Sequence, residues 1–323
     1  MLKIIFILIA ILTQIWAVQP LTRIYQTQGI EAVERALENR LQEQGYWEEI
    51  VSKKDVALGY YDAFPLVVTV DKSGKKLQLY DTKTNELMPL LTHEIITGIA
   101  GDKQKEGDLK TPIGVYDLLK RFVPGDTFYG QVAYALSYPN TLDKQQGKTG
   151  YGIWIHGHPL DNTPRRYTKN TEGCVVMTND LLEIFDQRVK DQKSIAIISE
   201  DGIPHVDKKT MSALLAQIFQ WRNSWKYSDI ERYLNFYHED FKRFDGSGID
   251  SFSKMKRRIF SRDEDKKILF KDLMVVPYPD EKYDQMFRVS YYQIYETENH
   301  KFRGNKEVYL TFEDGKMKIL VER

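Results

Sequence analysis

Hydrophobic periodicity changes twice along this chain, and the two changes bound what it can fold into. Over residues 18–60 apolar side chains recur at helical spacing. Ile30, Val33, Leu37 and Leu41 share one face, while Glu31, Glu34, Arg35, Glu38 and Arg40 occupy the others. Gly29 and Gly45 punctuate this helix before and after. From Phe64 to Ser199 the period becomes two, with strands expected at 66–70, 76–80, 93–99, 114–118, 133–138, 152–155 and 195–198. One helix, 181–189, interrupts them, and Thr178-Asn179-Asp180 offers its N-cap. After Lys208 a helix at 212–226 and a second one capped by Ser228-Asp229 precede strands at 268–273, 286–295, 306–312 and 317–321. The expectation is a helical segment (18–60), a mainly β domain with one helix (61–202) and a separate α+β domain (205–323), joined through Asp201-Gly202-Ile203-Pro204. A single amphipathic helix cannot form a core alone. The first segment must therefore pack on the next domain or on a second copy, which makes a homodimer through it an expectation.

The start of the chain speaks to compartment. Met1-Leu2-Lys3 followed by the apolar run 4–12 and Ile15-Trp16-Ala17 reads as a signal peptide over residues 1–17. Gln14 and Ile15 fit a cleavage site poorly, so an uncleaved anchor is the alternative. No other stretch approaches membrane-spanning length. Forty-six basic residues balance forty-six acidic ones, so no nucleic acid or strongly anionic surface is called for as partner. Twenty tyrosines and fifteen phenylalanines suit sheets with aromatic faces.

A single cysteine stands in Thr171-Glu172-Gly173-Cys174-Val175, eighteen positions after His156 in Ile153-Trp154-Ile155-His156-Gly157. In an exported chain a lone thiol closes no internal disulfide, so it is either a small buried hydrophobe or a working group. An imidazole nearby would make it a nucleophile. Gly173 allows close approach of a substrate, and the helix start expected just downstream would favour a thiolate and hold an oxyanion. His156-Gly157-His158 with Asp161 has the alternation of a metal cluster. Yet the chain has six histidines and no second Cys/His pair at ligand spacing. Neither a metal nor another cofactor is expected.

Lys105-Glu106-Gly107-Asp108-Leu109-Lys110-Thr111-Pro112-Ile113-Gly114-Val115-Tyr116 fits the pattern K-x-G-D-x-x-T-P-x-G-x-Y, and Ile155-His156-Gly157 and Glu172-Gly173-Cys174 follow it in order. On these three elements the segment 64–199 resembles the YkuD-type L,D-transpeptidases, which implies a β-sandwich with one helix. The last segment, with Trp221, Trp225, Tyr233, Leu234, Phe236 and Tyr237, is similar to NTF2-like domains. The three-part arrangement resembles the L,D-carboxypeptidases that trim peptidoglycan in helical Campylobacter- and Helicobacter-type bacteria. That resemblance implies a periplasmic enzyme acting on peptidoglycan stem peptides. Cys174 would be the nucleophile, His156 the general base, and the Gly157 carbonyl the group that holds the imidazole. Amides of Gly173 and Cys174 would bind the oxyanion. Attack at the L-centre of meso-diaminopimelate would expel D-alanine and leave a thioester; water then yields a tripeptide, and a second stem a 3–3 crosslink. Arg165 or Arg166 would bind a stem carboxylate, Glu172 and Tyr151 would border the groove, and Tyr233 and Lys306 would line the pocket of the NTF2-like sheet. Two departures stand out: Thr171-Glu172 replaces the family's histidine and serine before Gly-Cys, and Val176 replaces an arginine. Loss of a cation beside Glu172 disfavours a second anionic stem, at a cost on the order of 1 kcal/mol. Release of lipoprotein from peptidoglycan, and a wall-binding scaffold with no activity, are the other readings.

Overall fold

The computed structural model describes residues 20–63, 65–160, 169–262 and 264–323. The expected signal peptide and Arg165-Arg166 lie outside them. Residues 20–28 form helix α1, Ile30–Leu41 α2 and Gln44–Ser52 α3. Gly29 breaks the chain as expected, with φ of 81°, a conformation open to glycine. Gly45 does not end a helix. It lies within α3, because the extended backbone of Glu43 starts a new helix one residue before Gln44.

The middle of the chain supplies β2 (Leu66–Asp71), β3 (Lys76–Asp81), β4 (Pro89–Glu94), β5 (Gly114–Phe122), a 3₁₀ turn (Thr127–Tyr129), β6 (Ala133–Leu136), α4 (Thr141–Gln145), β7 (Trp154–His156), β8 (Val175–Val176), α5 (Asn179–Val189) and β9 (Ser194–Ser199). They follow β1 (Tyr60–Tyr61). Strands β2 to β9 form one sheet in the order β4-β3-β2-β9-β5-β6-β7-β8. A single bridge from Ile96 to Val176 brings its two edges together. That bridge is why the strand expected at 93–99 stops at Glu94: the chain must leave β3 to reach β8.

The remainder forms α6 (Lys208–Lys226), α7 (Ile230–Leu234), β10 (Tyr237–Arg243), α8 (Ile249–Phe260), β11 (Lys267–Tyr278), β12 (Met286–Glu296), β13 (Lys301–Glu313) and β14 (Lys316–Glu322). Its sheet runs β1-β11-β12-β13-β14-β10, so the two-residue strand ahead of the middle domain pairs into the last one. The first helices also belong to this end. Trp47 of α3 stacks on Phe219 of α6 with centroids 5.3 Å apart, and Glu38 of α2 forms a buried ion pair with Arg222. Within the chain α2 packs through Ala32 and Glu38, while Ile30 and Leu37 of the face that suggested a homodimer stay exposed.

β9 shows how the two sheets join. It pairs parallel to β2 and is buried on both faces, hence its unbroken apolar run. Ala196 and Ile198 face a core with Leu182 and Phe185 of α5. Ile195 and Ile197 face the opposite way, into a second core with Met274, Val276 and Tyr309 of the last sheet. Arg288 of β12 spans this junction, 2.8 Å from Asp117 of β5 and 2.6 Å from Glu307.

Candidate active site

β7 and β8 are adjacent and parallel, with His156 paired to Val176. Cys174 immediately precedes β8, two positions from that pair, on the strand next to that of His156. The register thus brings together the two residues that eighteen positions separate in sequence. His156 is buried, and its Nδ1 lies 2.7 Å from the Gly157 carbonyl. A carbonyl only accepts, so Nδ1 carries the hydrogen and Nε2 presents a lone pair. Nε2 has no hydrogen-bond partner among the described residues. The Tyr129 ring meets the imidazole edge to face at 5.0 Å.

The half-buried Cys174 thiol donates to the Gly152 carbonyl at 3.6 Å. Burial pushes the thiol up to about 11; the Trp154 amide and Lys103 pull it down, and Glu172 adds to the rise. Burial also lowers the His156 imidazole to about 4, against the opposing bond from Gly157. At neutral pH the resting pair is therefore thiol and neutral imidazole, not the thiolate expected from a helix start. The reason is topological: β8 intervenes between Cys174 and α5, which begins only at Asn179, beyond the reach of its first turn.

Short polar bonds hold the nucleophile turn. The Thr171 hydroxyl donates to the Cys174 carbonyl at 2.6 Å and accepts from the Gly173 amide at 3.1 Å. The Gly173 amide, expected to face an oxyanion, is instead committed to Thr171. Gly173 itself has φ of 128°, and a Cβ there would lie 2.9 Å from the Lys110 carbonyl. The signature loop builds the neighbouring wall. Asp108 accepts from the amides of Gln104, Lys105 and Lys110 and from Lys103 Nζ at 2.8 Å. Burial pushes this carboxyl up, but those donors outweigh it and hold it well below its ordinary range.

Other expected residues are scattered more widely. Tyr151 is 78% exposed beside Gly152, whose carbonyl touches the thiol, and Glu172 is exposed next to Gly173. Arg165, Arg166 and Asp161 lie outside the described residues, and among the described residues no cluster of three or more His, Cys, Asp or Glu could hold a metal. Tyr233 does not line a pocket. It is 0% exposed, packed against Trp221, Tyr237 and Phe260, because α7 turns it into the domain core. Lys306 does border a cavity of about 440 Å³, shared with Trp225, Arg243 and Lys256. Lys256 was not anticipated: its ammonium sits over the rings of Trp225, Tyr233 and Phe252 at 4.7, 5.0 and 5.1 Å. Asn179, read as part of a cap, pairs instead with the His158 backbone. The only sequence signal for it was its place in the cap cluster.

Comparison with known proteins assigns both domains. Residues 65–197 match the YkuD L,D-transpeptidase catalytic domain and residues 213–323 the Cds6 C-terminal NTF2-like domain. A crystal structure of a point mutant of the helical cell shape determining protein Pgp2 from Campylobacter jejuni is 42% identical. It covers 88% of this chain and 99% of that one at a TM-score of 0.84. This chain belongs to the YkuD L,D-transpeptidase family. A crystal structure of Pgp2 without that mutation gives 43% identity, coverage of 87% and 99%, and a TM-score of 0.82. Bd1075 of Bdellovibrio bacteriovorus gives 28%, 84%, 96% and 0.64. YafK of Escherichia coli (strain K12), whose name places it with the L,D-transpeptidases, is 29% identical over 124 residues, 38% of this YkuD-family chain and 46% of YafK. The alignment therefore spans about half of that curated relative. Among the described residues no helix is long and apolar enough to cross a membrane.

Proposed function

We propose that this protein is a periplasmic peptidoglycan L,D-carboxypeptidase that removes the terminal D-alanine from tetrapeptide stems. The observation that carries this reading is the buried imidazole with Nδ1 tied to Gly157, Nε2 unpartnered, and a thiol on the neighbouring strand. As sulfur attacks the carbonyl of the meso-diaminopimelate L-centre, Nε2 takes the thiol proton. The Cys174 amide steadies the oxyanion. The imidazolium then protonates the amine of D-alanine, the carbon–nitrogen bond breaks, and a thioester remains. Water, deprotonated by Nε2, cleaves the thioester and regenerates the thiol, releasing a tripeptide.

Hydrolysis is favoured over crosslinking because Glu172 is exposed at the site and position 176 holds valine instead of the arginine that the family resemblance leads one to expect. A second stem, itself anionic, meets a carboxylate there and no compensating cation from position 176. Lys306 and Lys256 in the cavity of the last domain suit an anionic part of the same wall polymer, and Tyr151 a contact at the groove edge. Purified muropeptides with the full chain test the reading. Tetrapeptide converted to tripeptide with free D-alanine supports it. Accumulation of 3–3 dimers, or release of a lipoprotein peptide, overturns it.

A further inference from the structure

Asn179 opens α5, yet its carboxamide is not used on the helix, and the N-cap Thr178 makes no side-chain cap bond either. Its Oδ1 accepts from the His158 amide at 3.0 Å and its Nδ2 donates to the His158 carbonyl at 3.1 Å. The His158 amide and the Gly157 carbonyl belong to one peptide unit. In a trans peptide they point in opposite directions, so fixing one aims the other. Here the amide is held by Asn179, and the carbonyl points at His156 Nδ1. The preceding peptide is held as well, by the Gly157 amide donating to the Tyr129 carbonyl at 3.2 Å. The fit around Asn179 is close. A Cβ on Gly157 would collide with Oδ1, and one on Gly130 would lie 3.0 Å from it.

We propose that Asn179 is a positioning residue for His156, acting through the Gly157–His158 peptide plane to keep hydrogen on Nδ1 and the lone pair on Nε2. It does the work of a triad's third member at one peptide's remove, since the imidazole's own partner is a backbone carbonyl that needs orienting. The proposal rests on the reading of His156 as general base, but its first test needs no substrate.

In ¹⁵N spectra of the full chain at neutral pH, the native His156 is expected as a single tautomer protonated on Nδ1. Asn179→Ala is expected to give a mixture of tautomers. On tetrapeptide, the same variant is expected to lose roughly 10- to 100-fold in kcat with KM within about twofold, the range typical of lost outer-layer support. Asn179→Asp keeps an oxygen for the His158 amide and is expected to recover part of the loss. Its added charge favours imidazolium, so the acidic limb of its kcat profile should move to higher pH. A folded Asn179→Ala chain with the native tautomer signal overturns the proposal, whatever the substrate. If that variant does not fold, an unmoved acidic limb in Asn179→Asp does the same.

Discussion

At Cys174 and His156 a low-dielectric groove favours the uncharged form of each group, and this decides how the pair can work. With the thiol near 11 and the imidazole near 4, the neutral pair persists across the physiological range. A general-base mechanism needs that form, so kcat/KM is expected to rise through about pH 4 and stay level to about pH 10. A narrow bell centred near neutrality would indicate a preformed ion pair instead. Iodoacetamide labelling of the free protein is expected to be slow below pH 8 and to accelerate toward pH 11, because only the thiolate reacts. Fast labelling at pH 7 would contradict the structure. That Cys174 and His156 belong to one site was expected from three ordered motifs, and the register of β7 and β8 puts them on neighbouring strands. Their ionisation was not legible in the sequence: burial raises the thiol and β8 separates it from the helix start, and both are properties of packing. Asn179 was hidden for a related reason, since a cap cluster does not reveal which carbonyl or amide the side chain will reach.

Among the elements, the Thr171 turn and α5 hold the site in place. Thr171→Val removes a donor and an acceptor at once and leaves the buried Gly173 amide unpaired, an expected loss of about 1–3 kcal/mol in urea unfolding. Thr171→Ser, which keeps the hydroxyl, should lose much less; equal losses would remove the hydrogen bonds as the cause. Phe185 on α5 is fully buried against Tyr134, with centroids 5.5 Å apart, and Phe185→Ala is expected to cost about 3–5 kcal/mol. β2, buried on both faces, and β3, which alternates, were readable because one turn at 72–75 fixes their pairing. β10 and α8 were not. Tyr237 continues the apolar spacing of α7, so the strand looks like more helix, and α8 buries only Phe252, Lys256 and Phe260.

Across the whole molecule, the catalytic sheet and the last sheet share an apolar junction with one charged crossing. Arg288 is buried between Asp117 and Glu307, so Arg288→Ala leaves two carboxylates without their cation and is expected to destabilise the chain by about 3–5 kcal/mol. Burial raises both carboxyls, yet Arg288 outweighs it and each ends below its ordinary value. Depressed folded values mean their contribution is full above about pH 5 and is lost as pH falls through about 4 and below. Acid unfolding of Arg288→Ala should accordingly show a shallower pH dependence than the native chain, and an unchanged slope would discount the crossing. None of this was visible in sequence: periodicity reports which strands are buried on two faces, but not what covers the second face.

The most direct measurement is an intact-mass spectrum of the full chain mixed briefly with disaccharide tetrapeptide and quenched in acid. The expected spectrum shows an adduct equal to the substrate minus D-alanine, mapped by digestion to Cys174, and no adduct or D-alanine release from Cys174→Ala with a native melting curve. D-alanine released by that alanine variant would contradict the account.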